Sequence, residues 1–204
     1  DAERAIRIRL ARPGTRDERL ERTLGLHALE LNRGRTAAAL AATQALAELE
    51  TLPRAHLRLR ILDALYSVGD TEAAEDAAMM LARSIRGGVP ADPLERRAYE
   101  EDLCVLAQWR VHRGAHEDVA VAAAHLDADA PGHSAEQRER NRVCAAILRA
   151  LLADARTPGR ITDELERLDS LMMTSPPTGP VDAGNLDYGN LVVARLREAA
   201  GDGP

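Results

Sequence analysis

Phenylalanine is absent from this 204-residue chain, and aromatic residues, one Trp and three Tyr, make up only 2% of it. A hydrophobic core must therefore be assembled from Ala, Leu, Val and Ile. Side chains this small let backbones approach closely, which favours helix packed on helix. Lysine is absent as well, since all 27 basic residues are Arg. That excludes a Schiff-base lysine, a P-loop lysine and the ATP-pairing lysine of a kinase. No basic stripe stands out either: the formal charge is -6, and the arginines alternate with Asp and Glu, so nucleic acid is an unfavoured partner. No apolar run approaches the roughly 20 residues needed to span a bilayer. No signal peptide opens the sequence, but neither does a Met, as expected if an upstream segment has been removed. The compartment stays undetermined, with the cytoplasm favoured slightly over the periplasm.

Only two cysteines are present, Cys104 and Cys144. They show neither CxxC nor metal-ligand spacing, and both sit in apolar helical patterns. The expectation is two buried thiols acting as small hydrophobes, with a disulfide open if the two positions face each other.

What the chain has in quantity is apolar residues at helical spacing: 45% are hydrophobic, enough for one sizeable domain. Leu57, Ile61, Leu62, Leu65 and Tyr66 recur three and four apart, and Ala73, Ala74, Ala77, Ala78 and Leu81 follow them after a turn at Gly69 and Asp70. Glycines recur in the same place elsewhere: Gly34, Gly69, Gly114, Gly159 and Gly201 are 35, 45, 45 and 42 residues apart by subtraction. Each follows one helical pattern and precedes another or the chain end, as a left-handed helix C-cap does. Between the pairs lie breakers: Pro13, Pro53, "GGVPADP", Pro131 and "SPPTGP". Pro53 and Pro131 trail their glycines by 19 and 17 residues by subtraction, about one helix and an exit turn. The pattern predicts about nine helices, no strands, and hairpins near 14–52, 53–88, 92–131, 134–175 and a partial one at 182–204. An unrelated helical bundle whose glycines merely end helices is the competing architecture.

The stretch "ILDALYSVGDTEAAEDAAMMLA" resembles the tetratricopeptide repeat, a helix–turn–helix unit of about 34 residues. Leu65 and Tyr66 match its aromatic-bearing turn, Gly69 and Asp70 its loop, and Ala74 and Ala78 the small sites where paired helices touch. The repeats from Gly69 onward are longer than the family norm, and "TPG" is inserted at Gly159. The resemblance implies one all-α domain over 1–204, a right-handed solenoid of stacked antiparallel helix pairs. Both ends look cut from a longer array, although a terminal capping helix explains the second end as well.

Residues of catalytic type form no recognisable motif. His112 and His116 straddle Gly114 without an evident third ligand, and "HEDVA" lacks the second His of HExxH. No serine sits in GxSxG, and no Cys, His and carboxylate share a local motif. The acidic residues alternate with arginines at helical spacing, as solvated, ion-paired helix faces do. No metal, cofactor or enzymatic activity is expected.

The tetratricopeptide resemblance implies a concave face, lined by the first helices, that binds a partner. On that face the expected exposed positions are His56, Asp63 and Tyr66 on one helix and Glu101, Gln108 and His112 on the next, with Trp109 a core filler or a rim anchor. Asp63 and Glu101 would favour a neutral or basic peptide over an acidic one. Some members of the family clamp acidic tails with Lys, Asn and Arg, but Lys is missing here. The expected role is a protein-interaction scaffold. A regulatory domain of a larger bacterial signalling protein, or a subunit packed permanently in an assembly, are the alternatives.

Overall fold

A computed structural model of the chain describes residues 14–35, 38–39, 41–42, 53–66, 70–128, 130–174 and 180–202. Eight helices are present among them, and no strand: α1 (Arg16–Asn32), α2 (Pro53–Tyr66), α3 (Thr71–Ser84), α4 (Pro93–His112), α5 (His116–Asp127), α6 (Ala135–Arg156), α7 (Asp163–Thr174) and α8 (Pro180–Ala199). The chain is all-α, as the three-and-four spacing requires.

Local chemistry sets the helix ends. The Asp70 side chain accepts from the Glu72 and Ala73 amides, Asp92 from Leu94 and Glu95, and Ser134 from Gln137. Each satisfies amides that the first turn leaves without intrahelical partners. Pro53, Pro93 and Pro180 open helices, where a missing N–H costs nothing. At the other ends, Gly34, Gly114, Gly159 and Gly201 adopt φ of 67°, 75°, 71° and 75°, the left-handed cap that a side chain resists. Gly69 and Pro13, predicted punctuation marks, lie outside the described residues.

Helix α2 packs on α3, α4 on α5, and α6 on α7; α5 also packs on α6, and α3 on α4. Helices α2, α4, α6 and α8 in turn pack side by side in that order. Two apolar clusters result. One joins Ile61, Leu65, Ala74, Leu81, Leu106, Trp109, Ile147, Leu168 and Val192; the other joins Leu103, Val119, Ala122, Ala123, Leu126, Ala145 and Leu148. Alanines dominate the contact faces of α3 and α5, so the helices can approach closely without aromatic filler. Ala74 and Ala78 are buried, at the small sites named for them.

The last helix does more than extend the row. α8 packs on α6 and α7, and it also packs on α1 and touches α2. Val192, Val193 and Leu196 enter the first cluster, and the Arg195 guanidinium donates to the Leu65 carbonyl at 2.6 Å while lying 5.6 Å from the Tyr66 ring centroid. Gly189 permits close approach: a Cβ there would sit 2.7 Å from Met172 Sδ on α7. At the C-terminal end of α2, where an open groove was expected, the chain's own final helix is therefore seated.

Candidate interaction surface

The helices that stand side by side are tied to one another by polar bonds inside the protein. His27 Nε2 of α1 meets Asp63 Oδ1 of α2 at 2.9 Å, with both side chains buried. Tyr66 of α2 donates its hydroxyl to Gln108 Oε1 of α4 at 2.7 Å. Burial raises the Tyr66 pKa far above the ordinary phenol value, and the Arg195 charge opposes that rise only in part. Between α4 and α6, Glu100 accepts from Asn141 Nδ2 at 2.9 Å and Gln137 Nε2 at 3.1 Å, and meets His133 Nε2 at 2.8 Å. Polar groups sealed from water must be paired, so each such bond favours one register of neighbouring helices over others.

A covalent tie runs beside them. Cys104 of α4 and Cys144 of α6 form a disulfide, their Cα atoms 6.0 Å apart. The expectation of two free thiols is corrected here: the residues do sit in apolar helical patterns, but on adjacent helices at facing positions. Gln108 Nε2 donates to Cys104 Sγ at 3.5 Å, linking the disulfide to the Tyr66 bond.

Three of the six positions expected to be exposed are therefore corrected. Asp63, Tyr66 and Gln108 are buried, because each supplies a bond between neighbouring helices rather than facing solvent. Replacing Asp63 would leave His27 without that buried carboxylate, so it is unsuitable as a surface probe. His56 is half-buried on α2, and His112 is exposed in the last turn of α4. Local desolvation of the His112 ring, and secondarily Arg195, hold its pKa below the usual imidazole value. Trp109 is a core residue whose indole N–H reaches Glu75 Oε2 at 3.0 Å, with Arg113 5.2 Å from its ring. The Arg113 hydrogen bond is the chief reason that the Glu75 pKa is lowered.

Glu101, the sixth, is the centre of a charged strip across the N-terminal halves of α2, α4 and α6. Its carboxylate meets Arg58 at 3.0 Å, Arg97 at 3.1 Å and Arg140 at 3.4 Å, one guanidinium from each helix. Arg58 also bonds Asp102 Oδ1 at 3.0 Å, and Arg54 lies 3.4 Å from Oδ2. Asp102 is fully buried, so desolvation raises its pKa against the pull of Arg58, Arg54 and the Ser84 hydroxyl. Glu136 closes the strip, paired with Arg140 and 3.9 Å from Arg97. Neither carboxylate expected to favour a basic or neutral partner is free to do so: Asp63 is inside the protein, and Glu101 is ringed by three arginines.

Sequence reasoning passed over Glu100, Asp102, Gln137 and Asn141, all buried. A signal existed: Asp102 is followed three, four and seven residues on by Val105, Leu106 and Trp109, and Asn141 by Cys144, Ala145 and Leu148, which puts both on apolar stripes.

Among the described residues no three His, Cys, Asp or Glu side chains are grouped to hold a metal ion, and no helix is long and apolar enough to cross a membrane. Compared with family models, with curated proteins and with solved structures, the chain matches none.

Proposed function

We propose that this chain is a protein-interaction scaffold, a right-handed stack of tetratricopeptide-like helix pairs that binds a partner segment on the exposed N-terminal halves of its first helices, α2, α4 and α6. The carrying observation is the strip itself. Six partly exposed charged side chains on three different helices are held in place by bonds to one another and to the fully buried Asp102. Fixing such side chains before binding lowers the ordering cost that a partner would otherwise meet. The pairwise packing of α2 with α3, α4 with α5 and α6 with α7, and the side-by-side first helices, support the stacked-pair reading. Catalysis has no part in this proposal.

The test is to pan a random-peptide library on the intact protein. A consensus should emerge that is lost when Arg97→Gln, Glu101→Gln and Glu136→Gln are combined, with helicity by circular dichroism unchanged. A library that yields no consensus, or one that the triple variant still selects, defeats the proposal.

A further inference from the structure

We infer that the Cys104–Cys144 disulfide is open to exchange: a cysteine carried by a segment lying on the charged strip forms a mixed disulfide with Cys104, and Cys144 is the thiol that leaves and later resolves it. The inference rests on the interaction scaffold proposed above, because the strip is what brings the segment to the bond. On α4, Cys104 follows Arg97 by seven residues and Glu101 by three; on α6, Cys144 follows Glu136 by eight and Arg140 by four, all by subtraction. Those spacings keep each set on one helical face. The sulfur bond therefore lies one turn C-terminal to the Glu101–Arg140 pair and joins the same two helices.

The two cysteines are unequally placed. Cys104 is half-buried, where the stripe of α4 passes from the partly exposed Glu101 to the buried Gln108. Cys144 is buried, in the apolar cluster with Leu103, Ala145 and Leu148. An incoming thiolate therefore meets Cys104 first. Its sulfur attacks Cys104 Sγ; a new S–S bond forms as the Cys104–Cys144 bond breaks, and the electron pair leaves on Cys144 Sγ, which takes up a proton. One disulfide replaces another, so no oxidant or reductant is consumed. In the reverse step the Cys144 thiolate attacks Cys104 Sγ, which restores the native bond and releases the segment with its thiolate. Gln108 Nε2 donates to Cys104 Sγ at 3.5 Å and Gln108 is itself held by Tyr66, so the sulfur keeps its place. The opened protein stays folded, because Glu100 still ties α4 to Gln137 and Asn141 of α6.

The test uses the intact, oxidised protein without denaturant. Excess glutathione is added, the reaction is quenched with acid, and mass spectrometry of proteolytic fragments locates the adduct. Glutathione should be found on Cys104 about tenfold more than on Cys144, with Cys144 recovered as the free thiol. The rate should rise with pH as more of the glutathione becomes thiolate, and low urea should leave it unchanged. A purely structural bond, opened only in the unfolded chain, would instead react faster with each increment of urea. Removing free glutathione should restore the native bond. A random-peptide library with one cysteine per member is then incubated with the wild type and with the combined Arg97→Gln, Glu101→Gln and Glu136→Gln variant; the wild type should capture covalently a consensus that the variant loses. No adduct under native conditions, an adduct mainly on Cys144, or a rate that climbs with urea overturns the inference and leaves the scaffold proposal standing. An adduct on Cys104 with no strip-dependent consensus among the captured peptides overturns the scaffold reading and, with it, delivery of the cysteine by the strip.

Discussion

Reducing the Cys104–Cys144 disulfide should cost this protein a large share of its stability. The bond joins residues separated by 40 in sequence, on α4 and α6. In the chain-entropy account, a crosslink of that span removes about 13 cal/mol/K from the unfolded ensemble, or about 4 kcal/mol at 25 °C. A domain's whole stability is typically about 5 to 15 kcal/mol, so the reduced protein should be marginal. The folded state should barely change on reduction, because the surrounding bonds of Glu100, Gln137 and Asn141 between the same helices need no sulfur bridge. The assay is urea unfolding followed by circular dichroism, with and without a reductant, alongside mass spectrometry of alkylated samples. Reduction should lower the midpoint and steepen the slope, because an uncrosslinked unfolded chain exposes more surface. Coincident midpoints would refute the entropic reasoning, and two thiols alkylated in denatured but unreduced protein would refute the bond itself.

Three further outcomes follow from the packing. Ala74→Leu places a branched side chain where the native residue is fully buried, and should cost about 1 to 3 kcal/mol in urea unfolding; an unchanged midpoint would mean the site can expand. Arg195→Met removes the bond to the Leu65 carbonyl and the contact with Tyr66, so it should destabilise by about 1 to 2 kcal/mol. By nuclear magnetic resonance the same variant should move the His112 pKa part of the way back up, since desolvation, the larger cause, persists. Tyr66 holds its proton more tightly folded than unfolded, so the stability it supports is fully present below the ordinary phenol pKa of about 10 and is lost as pH rises beyond it. Its phenolate absorbance, isolated by comparison with Tyr66→Phe, should therefore appear only together with loss of helicity.

Sequence alone determined the helices and their punctuation. Apolar spacing is a property of one segment, a glycine cap needs only its own backbone, and an aspartate N-cap reaches amides two and three residues on; hence the described residues form helices and no strand, as expected. The small contact sites Ala74 and Ala78 were legible for the same reason.

The tertiary structure alone decided what the inward-facing polar residues meet. Asp63 and Gln108 read as surface positions because a pattern along one helix cannot reveal that His27 lies 36 residues upstream of Asp63, or Tyr66 42 residues upstream of Gln108, at bonding distance. The Cys104–Cys144 bond was undecided for that reason, since its formation depends on the register of α4 against α6. So did the fate of the expected groove, which turns on α8 meeting α1 and α2 from the far end of the chain. Periodicity reports which side of a helix is apolar; partnership depends on distances between helices, and those are fixed only when every helix has packed.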